Sequence, residues 1–393
     1  MTEAEHCMYK IQTLNNISKN GLSRLPTGQY NIANEFAEPD AVLLRSADMH
    51  KITIPTSVKA IGRAGAGVNN IPVAELSKRG VPVFNAPGAN ANAVKELVLA
   101  GMLIAARNLG EALSFVGSLD VKEDLHHKVE AEKKRFVGSE LAGKTLGVIG
   151  LGAIGVKVAN AARALGMRVF GFDPHMTVDG AWQLSAEVVK AGSLNELYAA
   201  CDYITFHVPL NDATRGIFAV ESLEHLRSGA VLMNFAREGI IDPIALRHGL
   251  DDGRIGRYVC DFPSAELVDH ARVIALPHLG ASTAEAEENC ALMVVDQLRD
   301  YLENGNIQNA VNFPNTRMAR VGAARISIAN LNRPNMIGQL SQVIGAAGLN
   351  ISQMHNASKG DLAYSLLDVD SSVPESLITS IAAIDGILCV RVI

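Results

Sequence analysis

The chain has 393 residues, 48% of them hydrophobic, enough to fill two or three cores of ordinary domain size, so more than one domain is expected. Lys and Arg number 35 against 41 Asp and Glu, a formal net charge of −6, which leaves no global positive field to hold nucleic acid or an anionic membrane. A small-molecule enzyme is the class that remains.

Apolar stretches such as Leu97 to Ala106 fall short of the roughly 20 residues a membrane span needs, and the polar start lacks a signal-peptide core, so a cytoplasmic protein is expected. Cys7, Cys201, Cys260, Cys290 and Cys389 are odd in number, widely spread and without a CxxC pair. They suggest mostly buried thiols, with neither a disulfide framework nor a zinc site. His126, His127, His248 and His270 lack metal-ligand spacing, and no metal is expected.

In chain order, a first segment alternates strands and helices: Ala41 to Arg45, Val58 to Gly62, Val81 to Phe84, then a helix from Ala91 to Arg107. The basic run Lys133-Lys134-Arg135 follows. The apolar run Thr145 to Ile149 then enters G-x-G-x-x-G at Gly150, Gly152 and Gly155, and a helical run from Val156 to Leu165 leaves it. The first glycine permits the tight turn, the second lets backbone approach a pyrophosphate, and the third allows helix to pack on strand. A second strand, Arg168 to Phe172, ends at Asp173, 18 residues beyond Gly155, where a ribose-binding carboxylate belongs. That acid favours NAD over NADP, because it accepts from both ribose hydroxyls and repels a 2′-phosphate.

Further strands are expected at Asp202 to Val208, Ala230 to Phe235, Tyr258 to Phe262 and Arg272 to Leu276, with helical segments between them. The alternation implies a doubly wound parallel sheet, an α/β fold of Rossmann type, whose ligands lie beyond the carboxyl ends of the strands. Arg237, Glu266 and His278 each follow such an end. A helix from Ala281 to Asn304 and a segment 305–322 with few long apolar runs, read as a linker, come next. The last residues read as strand, helix, two strands, helix, strand, in the order βαββαβ, with Pro334 opening the first helix.

On Arg63-Ala-Gly-Ala-Gly-Val-Asn-Asn70, Val83-Phe-Asn-Ala-Pro87, the glycine turn and the Arg237, Glu266 and His278 stretches, the chain resembles the D-isomer-specific 2-hydroxyacid dehydrogenases over almost its whole length. The resemblance implies an NAD-binding Rossmann domain (93–282) inserted in a flavodoxin-like α/β substrate domain (1–92 and 283–304). It also implies NAD-dependent oxidation of 3-phosphoglycerate to 3-phosphohydroxypyruvate at the start of serine synthesis. The alternatives are reduction of hydroxypyruvate, glyoxylate or 2-oxoglutarate, or a non-catalytic NADH sensor.

In that chemistry His278 takes the hydroxyl proton, a carboxylate such as Glu266 orients and stabilises its imidazolium, and Arg237 grips the substrate carboxylate. Leu267 stands where the family usually has Pro, and Glu238 where many members carry Gly. The resemblance adds Ala153, Ile154, His207, Pro209, Ala236, Asp261 and Gly280 to the cofactor site, though His207 reads equally as a plain strand-end histidine. The loop Gly65-Ala66-Gly67 presents backbone N–H groups to a carboxylate. Arg45 and Arg63 are implied for the 3-phosphate, the alternative being ordinary exposed arginines. Lys133 to Arg135 reaches a neighbouring subunit in similar enzymes, or is a solvated face.

Residues 323–393 resemble an ACT domain, on Asn332-Arg-Pro334 and Gly348-Leu-Asn350. This implies an L-serine effector site between subunits from Asn330, Asn332 and Asn350, in a homo-oligomer expected to be a tetramer; the alternative is a module for assembly alone. Asn330 replaces a histidine of some relatives, and Asn335 replaces a Gly.

Overall fold

Buried parallel strands need helices on both faces, and the alternation in this chain supplies them. The computed structural model describes residues 8–120 and 124–393, so Cys7 lies outside the described residues. The first sheet holds β1 (Tyr9–Leu14), β2 (Tyr30–Ala33), β3 (Ala41–Leu44), β4 (Ala60–Arg63) and β5 (Val83–Phe84). All its neighbours are parallel, in the order β2-β1-β3-β4-β5. That order changes direction between β1 and β3, and Arg45 follows the carboxyl end of β3, at the switch point where such sheets take ligands. β1 and β2 go beyond the sequence expectation: they are short and half-polar, and only pairing with β3 identifies them.

The second sheet holds β6 (Thr145–Ile149), β7 (Arg168–Phe172), β8 (Val189–Lys190), β9 (Tyr203–Phe206), β10 (Ala230–Asn234), β11 (Ile255–Cys260) and β12 (Val273–Ala275). It is parallel throughout, in the order β12-β11-β10-β9-β6-β7-β8. The switch here falls between β6 and β9, which places the turn after Ile149 beside His207. A third, antiparallel sheet contains β13 (Ala324–Leu331), β14 (Ile351–Lys359), β15 (Leu362–Val369) and β16 (Ile387–Val392), ordered β14-β15-β13-β16. With the helices Met336–Ala346 and Glu375–Ala382 it runs βαββαβ.

The chain divides into two compact units, residues 1–90 with 284–393, and residues 91–283. In the first unit the helix Ala284–Asn304 buries Ala291, Val294, Leu298 and Tyr301 in one cluster with Ile11, Leu43 and Phe84. Close approach explains a glycine in β4, since a Cβ on Gly62 would stand 2.9 Å from Val294. In the second unit Leu146, Val148, Val158, Ala162 and Met233 pack together with Val98 and Met102 of the helix Ala91–Arg107.

The segment expected as a linker is part of the first unit's interior. Asn306, Ile307, Asn312, Phe313, Thr316 and Met318 are all buried. Val311 N–H donates to Val83 O at 2.9 Å and Ala310 bridges Phe84, so the segment extends the first sheet as an antiparallel edge. Asn312 completes that edge: its Oδ1 accepts from Val83 N–H at 3.0 Å and its Nδ2 donates to Val81 O at 2.9 Å. A linker reading follows from the lack of apolar runs. Burial here is achieved by isolated apolar side chains, with asparagine amides standing in for missing ladder partners.

No single helix among the described residues is long and apolar enough to cross a membrane. Cys201, Cys260 and Cys290 are buried thiols and Cys389 is half-buried. Among the described residues no cluster of His, Cys, Asp and Glu could hold a metal ion.

Candidate active site

The glycine turn is built as its spacing requires. Gly150 has φ +89°, and a Cβ there would stand 2.6 Å from His207 O. Gly155 admits no side chain either, because its Cβ would overlap the Gly150 carbonyl oxygen. Gly152 is different: nothing lies within 4 Å of the place its Cβ would occupy, and no side chain caps the helix Ala153–Ala164 that it opens. The first-turn N–H groups, with those of Ala153 and Ile154, are therefore left for an anion at the positive end of a 12-residue helix. Asp173 ties the turn to β7, its Oδ2 accepting from Leu151 N–H and its Oδ1 from His175 N–H, both at 2.8 Å. Two bonds do not exhaust a carboxylate's acceptor capacity, which leaves room for ribose hydroxyls.

His207 directly follows β9. Its Nε2 lies 3.0 Å from Thr205 Oγ1, while Nδ1 is buried with no partner. Burial pushes its pKa down to about 3, so the ring is neutral at physiological pH. Pro209, two residues on, accepts from the Thr214 hydroxyl through its carbonyl, which fixes the loop leaving β9.

Beyond β10, Asn234 shapes the arginine loop, a role the sequence reading missed. It is buried, its Oδ1 accepts from Ala236 N–H at 3.1 Å and its Nδ2 donates to Arg237 O at 2.9 Å. Arg237 itself is exposed, with Nη1 donating to Ala236 O at 2.6 Å. Asp261, buried at the end of β11, accepts from Leu279 N–H and Gly280 N–H, each at 2.7 Å. These bonds clamp the turn that holds His278 at φ +56°, in the left-handed region. A Cβ on Gly280 would stand 3.0 Å from Asp261 Oδ2, so the clamp needs a small residue there.

The His278 ring is exposed and packs on Phe262, with ring centroids 4.9 Å apart. The Glu266 carboxylate is exposed as well, and no hydrogen bond joins it to His278. Its turn is anchored by Leu267, which fills the core where the family's Pro would stand, and by Arg247 Nη1, which donates to Glu266 O at 3.2 Å. Catalytic hydrogen bonds in ligand-free structures are often long or unmade and tighten only with substrate.

In the first unit, Arg45 and Arg63 are neighbours. Arg63 Nε donates to Arg45 O at 3.1 Å, and Asn70 Nδ2 donates to the same carbonyl at 3.2 Å. Arg45 Nη1 pairs with Glu287 at 2.7 Å. The Arg63 guanidinium lies over Gly65, where a side chain would have to displace it. The Gly65–Gly67 loop is pinned by its carbonyls: Gly65 O accepts from Ala86 N–H at 2.9 Å and Ala66 O from Asn85 Nδ2 at 2.6 Å. Among the described residues nothing accepts from the Ala66 or Gly67 N–H groups, the pattern of an anion nest. Asn85 is a second residue that sequence reasoning missed, since side chain to backbone bonds leave no periodic signal.

The three asparagines expected to form one effector site do not meet within the chain. Asn332 N–H donates to Asp361 O at 2.8 Å, at one end of the third sheet. Asn350 N–H donates to Asp370 Oδ1 at 3.3 Å, at the other end. The 8 residues of β15 separate these ends by about 25 Å. Asn330, buried near Asn332, leaves Oδ1 without a partner, and Asn335 holds φ +65°, in the left-handed region.

Residues 99–280 match the family described as D-isomer specific 2-hydroxyacid dehydrogenase, NAD binding domain. The D-3-phosphoglycerate dehydrogenase of Bacillus subtilis is 34% identical over 98% of this chain and 72% of its own length. That of Haemophilus influenzae is 33% identical over 85% of this chain and 81% of its own. That of Methanocaldococcus jannaschii is 39% identical over 67% of this chain, which spans only 49% of that relative's length. Among solved structures, cofactor (NAD+)-bound 3-phosphoglycerate dehydrogenase of Entamoeba histolytica matches with a TM-score of 0.60 and 25% identity, over 78% of this chain and 99% of that one.

Proposed function

The chain belongs to the D-isomer specific 2-hydroxyacid dehydrogenases, and from that premise we propose that it oxidises D-3-phosphoglycerate to 3-phosphohydroxypyruvate with NAD, opening L-serine synthesis. The observation that carries the substrate is the pairing, in one unit, of a nest of free N–H groups at Ala66 and Gly67 with two adjacent arginines, Arg45 and Arg63. A substrate with a carboxylate at one end and a phosphate at the other matches two such anion sites.

NAD fits the open space at Gly152, the uncapped helix behind it and the carboxylate of Asp173; bound there, it supplies the hydride acceptor. The residues handle the rest. His278, held by the Asp261 clamp, takes the C2 hydroxyl proton as C2 gives up its hydride. Glu266 stabilises the imidazolium that results, and Arg237 holds the carboxylate and places positive charge beside the C2 oxygen. Replacing His278 with Ala is expected to lower kcat by about 10²–10⁴-fold while NAD binding persists.

One observation favours a second reading. Arg45 already pairs with Glu287, so an unphosphorylated 2-hydroxy acid could be turned over with that pair undisturbed. Steady-state rates with 3-phosphoglycerate, D-lactate and D-glycerate separate the two. A strong phosphate preference, lost in Arg45→Ala or Arg63→Ala, supports the first reading, and equal rates point to a general 2-hydroxyacid dehydrogenase.

The βαββαβ module from 323 to 393 is read as an ACT domain that takes L-serine, in a homo-oligomer. Its asparagines lie at opposite ends of one sheet, so a site using Asn332 and Asn350 together draws them from two copies.

A further inference from the structure

We propose that Lys359, on the third sheet, is a positioning residue for the substrate loop Gly65–Gly67, acting through the backbone at 309–311. The proposal rests on the reading that this loop holds the substrate carboxylate. Lys359 is the last residue of β14, and its Nζ donates to Ala310 O at 3.2 Å and Val311 O at 2.9 Å. Successive carbonyls of an extended strand point to opposite edges, so one ammonium binding both marks a bend that the cation holds in place. The bend follows Asn309, whose φ of +58° is already outside the extended region.

This bent backbone is the edge that β5 leans on. Ala310 bridges Phe84, Val311 N–H donates to Val83 O at 2.9 Å, and Asn309 O accepts from Asn85 N–H at 3.4 Å. Asn85 then donates through its side chain to Ala66 O at 2.6 Å. An unbroken series of bonds thus runs from an ammonium on the third sheet to the loop whose Ala66 and Gly67 N–H groups are left for the substrate carboxylate on the proposed reading. Loss of the cation frees the 309–311 bend, lets Asn85 shift, and leaves the loop N–H groups less well ordered for substrate. Hydride transfer itself uses none of these residues, so affinity should change and turnover should not.

The test uses the full-length protein with Lys359→Met, which keeps the chain length and removes the donors, Lys359→Arg, which keeps the cation, and Asn85→Ala. Lys359→Met is expected to raise KM for 3-phosphoglycerate about threefold to tenfold, less than direct loss of a charged hydrogen bond to substrate would, with kcat and the KM for NAD unchanged. Lys359→Arg should restore the wild-type KM. In the Asn85→Ala background Lys359→Met should add nothing further, because the two act in series. Amide hydrogen exchange at 64–68 supplies a readout independent of substrate and should quicken in Lys359→Met. Unchanged exchange there in a folded Lys359→Met protein would overturn the proposal. Faster exchange with an unchanged KM would instead remove the loop from the substrate site.

Discussion

Three glycines within six residues carry different demands, and each can be tested alone. Gly155 has no space for a Cβ because the Gly150 carbonyl occupies it, so Gly155→Ala must push the helix Ala153–Ala164 away from β6. Overpacking of this kind costs about 1–3 kcal/mol, and a fall in Tm of several degrees is expected by scanning fluorimetry, together with lost NAD affinity. Gly152→Ala should lower Tm much less than Gly155→Ala, since its Cβ meets nothing within 4 Å and only a helix N-cap is weakened, yet weaken NAD in a fluorescence titration because the methyl enters the space proposed for the pyrophosphate. Equal Tm losses in both variants would show that the turn's glycines serve packing alone. The spacing was readable because backbone conformation allows few residue types at each position. Asn85, Asn234 and the clamp by Asp261 were not readable, since a side chain that bonds a backbone far along the sequence leaves no pattern in its neighbours. Glu266 stands between these cases: its position after a strand was visible, while the contacts of its exposed carboxylate leave no pattern in the sequence.

Among elements, legibility follows how completely a strand is buried. β6 and β9 are buried at every residue and stand out as apolar runs, whereas β1 alternates polar with apolar and β2 buries only Tyr30. The segment 305–322 shows the opposite failure, buried without an apolar run, and one of its several attachments to the third sheet is a buried ion pair. Arg325 and Asp368 are both fully buried; Arg325 Nε donates to Asp368 Oδ1 at 2.6 Å, and its guanidinium also donates to Asn304 O, Met318 O and Ala319 O. Burial by itself would raise the Asp368 carboxyl, but Arg325 and the Val321 N–H hold it below its usual range. Arg325→Met leaves an unpaired buried carboxylate and should cost about 3–5 kcal/mol in urea unfolding, more than the exposed pair Arg24–Asp296 could, which is expected near zero to about 1. Removing both charges, Arg325→Met with Asp368→Leu, should recover part of that loss. If the double variant is no more stable than the single one, the three carbonyl bonds of Arg325, and not its charge, hold the segment.

At the scale of the molecule, the depth of the glycine turn in the sequence follows from the chain path. It leaves the first unit after Asn90, builds the second, and returns at Ala284, so the nucleotide turn comes after a whole sheet of other sequence. The third sheet gives the effector site expected between subunits a geometric constraint, because its topology puts Asn332 and Asn350 at opposite ends of β15. On the proposed reading, an effector that touches both would lie where two copies of the module meet, each giving one asparagine. Asn332→Ala and Asn350→Ala should each abolish inhibition by L-serine in homogeneous preparations. When the two variants are co-expressed, a hybrid pair has one site with both asparagines intact and one site with neither. Partial serine inhibition should then return, read as the depth of inhibition at saturating serine. A site assembled within a single chain would recover nothing, since every copy in the mixture lacks one of its two asparagines, and wild-type enzyme with no serine response would leave the module a role in assembly alone.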